Sequence, residues 1–135
     1  MRPGSFDPPR ERPAPAGYEG TIGGRAVRGT FDELTVVVAV KESCDGCRDF
    51  VFSPPTGVLA TVAVLVISAH EFTSEAWRAA PRDVVVTPSL WSALDIRSAP
   101  FYVLVDPVVS RVVSEGVVFA AEQVAREVGS FVASH

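Results

Sequence analysis

The chain has 135 residues, 47% hydrophobic and 21% charged, with a formal net charge of -4. That is one domain's worth of chain, of ordinary globular composition and long enough for a real core. The acidic balance excludes a basic nucleic-acid face, no run of like charge suggests a lipid-binding patch, and the most apolar stretch, residues 58–69, is too short to span a bilayer.

Residues 1–17 are Pro-rich and charged, with no apolar core, and read as an extended, flexible N-terminal segment. They hold no h-region of a secretory signal, so the chain as written reads as cytoplasmic, or as extracytoplasmic if its native N-terminus is missing. Residues 18–135 read as the folded domain. Gly23-Gly24 is a tight-turn signal between two short strand-like pieces, which predicts a leading β-hairpin. Thr35 to Val40 is apolar at both parities, as expected of a strand covered on both faces.

That strand runs into Cys44-Asp45-Gly46-Cys47, which holds the chain's two cysteines. A short helix is expected to follow Cys47 and to stop at Pro54-Pro55. Thr61 to Ser68 is predicted as a second central strand. Thr73 or Ser74 can cap a helix over residues 75–80 that Pro81 ends. A short strand over 83–87 follows, and then a helical piece over 90–94 capped by Ser89. Phe101 to Asp106 and Arg111 to Phe119 pair as antiparallel strands. Residues 120–133 form a C-terminal helix with Ala121, Val124, Ala125, Val128 and Val132 on one face. Alternation of this kind predicts an α/β fold, a central sheet flanked by helices, mostly parallel with an antiparallel edge.

A dithiol at CxxC spacing beside a βαβ pattern reads as a redox motif. At the mouth of a helix, free backbone N–H groups and the dipole favour an anionic sulfur at Cys44. That sulfur attacks a disulfide and Cys47 resolves the mixed disulfide. Two bland readings compete. A structural zinc site wants four ligands, and only His70 and His135 remain to join the cysteines. An inert pair is the other, since so small a ring is a poor staple. There is no nucleophile elbow, no P-loop and no dinucleotide fingerprint. His70, Trp77, Trp91 and Arg97 are candidates for the site's surroundings, each with a plainer reading as surface or core.

Four elements together resemble the thioredoxin superfamily over nearly everything after the Pro-rich segment. They are the strand entering Cys44-Asp45-Gly46-Cys47, the run Ser98-Ala99-Pro100-Phe101-Tyr102-Val103-Leu104-Val105-Asp106, the closing hairpin with its helix, and the leading hairpin. The last, with the approach through Leu94-Asp95-Ile96-Arg97, looks like the TlpA-like thiol:disulfide interchange branch. The resemblance implies a thioredoxin-like fold with a mixed sheet and an N-terminal β-hairpin extension. It implies a thiol-disulfide oxidoreductase with Cys44 as nucleophile and Cys47 as resolving thiol. Pro100, in a cis bond, and Ala99 would offer backbone to the substrate. The implied partners are a protein thiol or disulfide substrate and a recycling reductase or oxidant, with no cofactor and no metal. The alternative is a non-catalytic binding module on the same fold with a vestigial or regulatory dithiol. The chain departs from the family at Val38, where an acidic residue is usual, at Ser43, where an aromatic residue is usual, and at Asp45. Asp45 sets a like charge beside an anionic Cys44, which Arg48 opposes. A peroxidase reading lacks the Pro and Thr expected ahead of its cysteine.

Overall fold

The computed structural model describes residues 12–134. A seven-stranded mixed sheet runs in the order β2-β1-β5-β4-β3-β6-β7. The strands are β1 (Gly17–Ile22), β2 (Arg25–Thr30), β3 (Thr35–Ala39), β4 (Ala63–Ser68), β5 (Val85–Val86), β6 (Phe101–Asp106) and β7 (Arg111–Val117). The helices are α1 (Asp45–Phe52), α2 (Glu75–Arg78), α3 (Pro88–Ala93) and α4 (Ala121–Ser134), with a 3₁₀ turn over Gly57–Ala60.

Strands β3, β4 and β5 are parallel, as βαβ alternation requires. The antiparallel part is larger than one edge: β6 pairs antiparallel with β3 at the centre, β7 follows it, and β1 joins β5 antiparallel on the other side. All five residues of β3 are buried because both faces are covered. Val36, Val38 and Val40 face a cluster with α1, Trp77 and α4; Val37 and Ala39 face Phe31, Leu90, Leu94 and the leading hairpin. The continuous apolar run is thus two alternating cores read through one strand.

Local sequence explains most element ends. Gly23 and Gly24 sit at φ +56° and +81°, the left-handed pair that a two-residue hairpin turn needs. Thr87, not Ser89, caps α3. Its Oγ1 accepts from the Leu90 N–H at 3.3 Å and donates to the Glu19 carbonyl at 2.7 Å, while Pro88 occupies the first turn. Fully buried Tyr102 fastens α4 to the sheet, its hydroxyl 2.6 Å from Glu127 Oε1 and 2.8 Å from Ser114 Oγ. Burial, foremost, raises that phenol's pKa.

Residues 1–11 of the segment expected to be flexible lie outside the described residues. Residues 12–17 are tied to the domain: Ala14 N–H donates to Ser110 O at 2.9 Å, Phe31 N–H to Ala16 O at 2.8 Å, and Gly17 opens β1.

The leading hairpin meets the sheet through one register pair, Thr21 with Val86, at a site that Gly20 keeps open. A Cβ there would strike the Val86 carbonyl oxygen and stand 2.7 Å from Val85 Cγ1 and 2.9 Å from Thr87 Cβ. Gly20→Ala is therefore expected to destabilise the fold by about 2 kcal/mol, the usual range for overpacking. Urea midpoints measure this, and amide exchange should rise first in β1 and β2; an unchanged midpoint contradicts the clash.

Candidate active site

The residues leaving β3 are pinned one after another. Val40 N–H donates to Ile67 O at 2.9 Å, and Lys41 N–H donates to the Cys47 sulfur at 3.5 Å. The Glu42 carboxylate crosses to the start of α2, accepting from Thr73 N–H at 2.7 Å, from Ser74 N–H, and from Thr73 Oγ1 at 3.3 Å. These bonds, the one from Thr73 N–H foremost, lower the Glu42 pKa. Ser43 then adopts φ +66°, the left-handed region.

Cys44 is the N-cap of α1, in extended conformation, and its carbonyl accepts from Cys47 N–H at 3.1 Å. The helix therefore begins at Asp45, three residues ahead of the sequence expectation, and Cys47 lies inside its first turn. Both cysteines are free thiols; Cys44 is half-buried and Cys47 fully buried. Burial, first, and the hydrogen bond with Cys44, second, push the Cys47 thiol up to about 12, against the Lys41 N–H. Val38, Val40, Phe50, Val51 and Tyr102 belong to the same core cluster as Cys47, and the Tyr102 hydroxyl in turn lies 2.6 Å from Glu127 Oε1. Pro54-Pro55 follow the α1 C-cap at Ser53.

Ala99 and Pro100 stand beside this helix. The Ala99–Pro100 bond is cis, and Pro100 O accepts from Val118 N–H at 3.2 Å. A Cβ on Gly46 would lie 3.3 Å from Val118 O and 3.6 Å from Pro100 Cγ, so the dithiol loop, the Pro100 loop and the segment before α4 meet at Gly46. The fold thereby brings Cys44, Cys47 and Pro100 into one neighbourhood, although more than fifty residues separate them in sequence.

The other candidates fall elsewhere or serve packing. His70 is exposed, its carbonyl accepting from Ser68 Oγ at 2.7 Å. Trp77 is core, edge-on to Phe52 and Phe72. Trp91 is half-buried against the opposite core, and exposed Arg97 pairs with Asp95 at 3.3 Å. Arg48 lies 4.7 Å above the Phe52 ring and 5.9 Å from that of Trp77, so its charge is held against aromatic faces one turn from Cys44. Sequence reading missed the Glu42 bridge. Its only local signal was an acid two residues ahead of a cysteine, and its partners lie 31 and 32 positions away.

No family model and no curated protein matches the chain. Among solved structures it is similar to one from Chlorobium tepidum described, provisionally, as the thiol:disulfide interchange protein DsbE. That likeness has a TM-score of 0.64 at 16% identity and covers 93% of this chain and 98% of the other. The fold is thioredoxin-like, with an N-terminal β-hairpin added to its sheet. Among the described residues no helix is long and apolar enough to cross a membrane.

Proposed function

We propose that this thioredoxin-like chain is a thiol-disulfide oxidoreductase exchanging a disulfide between Cys44–Cys47 and a protein partner, in the manner of TlpA-like interchange proteins. The observation that carries it is the pairing of a half-buried cysteine at a helix mouth with a fully buried one in the same turn. Cys44 is the sulfur a partner can reach; Cys47 is shielded from all but Cys44.

The steps balance within these two residues and the partner. The Cys44 thiolate attacks a partner disulfide, forming a Cys44–partner bond and releasing one partner thiolate. The Cys47 thiolate then attacks Cys44, closing the ring and releasing the second partner thiolate. Two electrons have passed to the partner, and an external dithiol must return the protein to its reduced form. Ala99 and Pro100 would supply backbone for a partner strand laid beside Cys44. The solved structure from Chlorobium tepidum, described as a thiol:disulfide interchange protein, supports this choice of reaction over a metal or hydrolytic one.

Equilibration in graded glutathione buffers tests the proposal. A single two-electron transition inside the range of known exchangers is expected, at a potential between about -120 and -270 mV. A pair that never forms a disulfide, or never gives one up, rules it out. The binding-module reading would then stand, in which Cys44→Ser leaves partner binding intact.

A further inference from the structure

We infer that Glu42 is a positioning residue for the dithiol, holding the segment between β3 and Cys44 in the one conformation that aims both sulfurs at each other. The inference rests on the exchange reading. The four residues of that segment each do something different: Val40 gives its N–H to Ile67 O, Lys41 gives its N–H to the Cys47 sulfur, Glu42 bonds to Thr73 and Ser74, and Ser43 turns left-handed.

The left-handed conformation is the costly one. A serine there gives up about 1 kcal/mol or more, and such residues persist where surrounding bonds over-determine them. The Glu42 carboxylate is the tether on the N-terminal side, with three donors on one anion. On the C-terminal side, Cys44 is fixed as the α1 N-cap. Ser74, the N-cap of α2, makes no side-chain cap bond. Glu42 also satisfies the backbone N–H of Ser74, one of the donors that the start of α2 leaves open. Releasing the tether lets Ser43 return to negative φ, which shifts the Lys41 N–H from the Cys47 sulfur and turns the Cys44 Cα–Cβ bond. Ring closure depends on that alignment; attack by Cys44 on a small, freely diffusing disulfide does not.

The test separates the two steps. The reduced full chain is mixed with 2-hydroxyethyl disulfide. Attack is followed as loss of the free thiol at Cys44, and ring closure as first-order decay of the resulting adduct, by acid quench and mass spectrometry. Glu42→Ala is expected to leave the attack rate within about twofold and to slow ring closure about tenfold, as a misalignment well under 1 Å does. Glu42→Gln keeps one acceptor oxygen and turns the other into an NH2 donor, so it retains one of the two backbone bonds and is expected to close at a rate between native and Glu42→Ala. Adding Ser43→Gly to Glu42→Ala, which removes the cost of positive φ, is expected to restore most of the loss. Native closure in Glu42→Ala overturns the inference, as does closure in Glu42→Gln slower than in Glu42→Ala, or no rescue by glycine. Should Glu42→Ala fail to fold, Ser43→Val burdens the same conformation with the tether intact, and closure at the native rate in that variant overturns the inference equally. If the native chain does not react at all, the exchange reading fails and takes this one with it; normal native exchange with an indifferent Glu42 sinks only the positioning role.

Discussion

Cys47→Ser is expected to arrest the chain as a persistent mixed disulfide at Cys44, and Cys44→Ser is expected to abolish exchange outright. In the native protein the same adduct should clear at a rate that climbs about tenfold per pH unit from 7 to at least 9, because only the Cys47 thiolate attacks. Burial holds that thiol above its ordinary value, so only a small fraction is thiolate at pH 7. Once Cys44 is bonded to a partner, its hydrogen bond and its charge no longer act on Cys47. Burial, the largest cause, remains. Adduct lifetimes across pH 7–10 measure the effect, and a lifetime that stops shortening near pH 8.5 would mean an ordinary thiol at Cys47.

The same shift has a consequence for stability. Its folded value lies above the unfolded 9.0, so the contribution of the neutral thiol is fully present below pH 9 and is lost as pH rises from 9 towards 12. The reduced protein should therefore lose up to about 1.4 kcal/mol per pH unit in that window, relative to an oxidised form that has no Cys47 proton to lose. Parallel slopes for the two forms in alkaline denaturant titrations would contradict the assignment.

Arg12→Ala is expected to cost about 3 kcal/mol, the usual loss when one partner of a buried ion pair is removed. Arg12 donates from two nitrogens to Glu115, at 2.7 and 3.1 Å, and its Nε–H reaches Leu94 O at 3.0 Å. The two side chains are 13% and 8% exposed, so water and salt screen the pair weakly. One guanidinium thus binds the N-terminal segment to β7 and covers the carbonyl that ends α3. Its loss removes two hydrogen bonds from the part-buried Glu115 carboxylate and one from the Leu94 carbonyl. Thermal unfolding should drop by roughly 10 °C. The shift should be nearly the same at 0.05 and 0.5 M salt, and the double variant with Glu115→Ala should lose less than the two singles summed. A drop of under 2 °C would place the segment outside the cooperative unit.

Much of this was legible in the chain. The CxxC spacing, the doubly buried run of β3, the Pro54-Pro55 stop, the glycine pair of the hairpin and the 3.6-residue face of α4 are local patterns, and local patterns survive folding. The position of Pro100 after the dithiol and before an apolar strand was legible as order, and order carried the resemblance. Three things were not. The antiparallel seating of β6 against β3 depends on which edges pair, and both strands are apolar along nearly their whole length. The caps were settled by geometry: Thr87 caps α3 in place of Ser89, and Ser74 is the α2 N-cap without a side-chain cap bond, its own N–H taken by a glutamate 32 positions upstream. Arg12 lay in a segment whose composition says only that it is extended, and its partner is 103 residues away. The sequence alone determined which residues hold the chemistry and which stretches must be buried, because residue type and periodicity are properties of the chain. Only the tertiary structure decided how deeply Cys47 lies, what holds Ser43 left-handed and which charges pair. Burial, strain and ion pairing are relations between residues that touch in space, and nothing in their spacing along the chain records them.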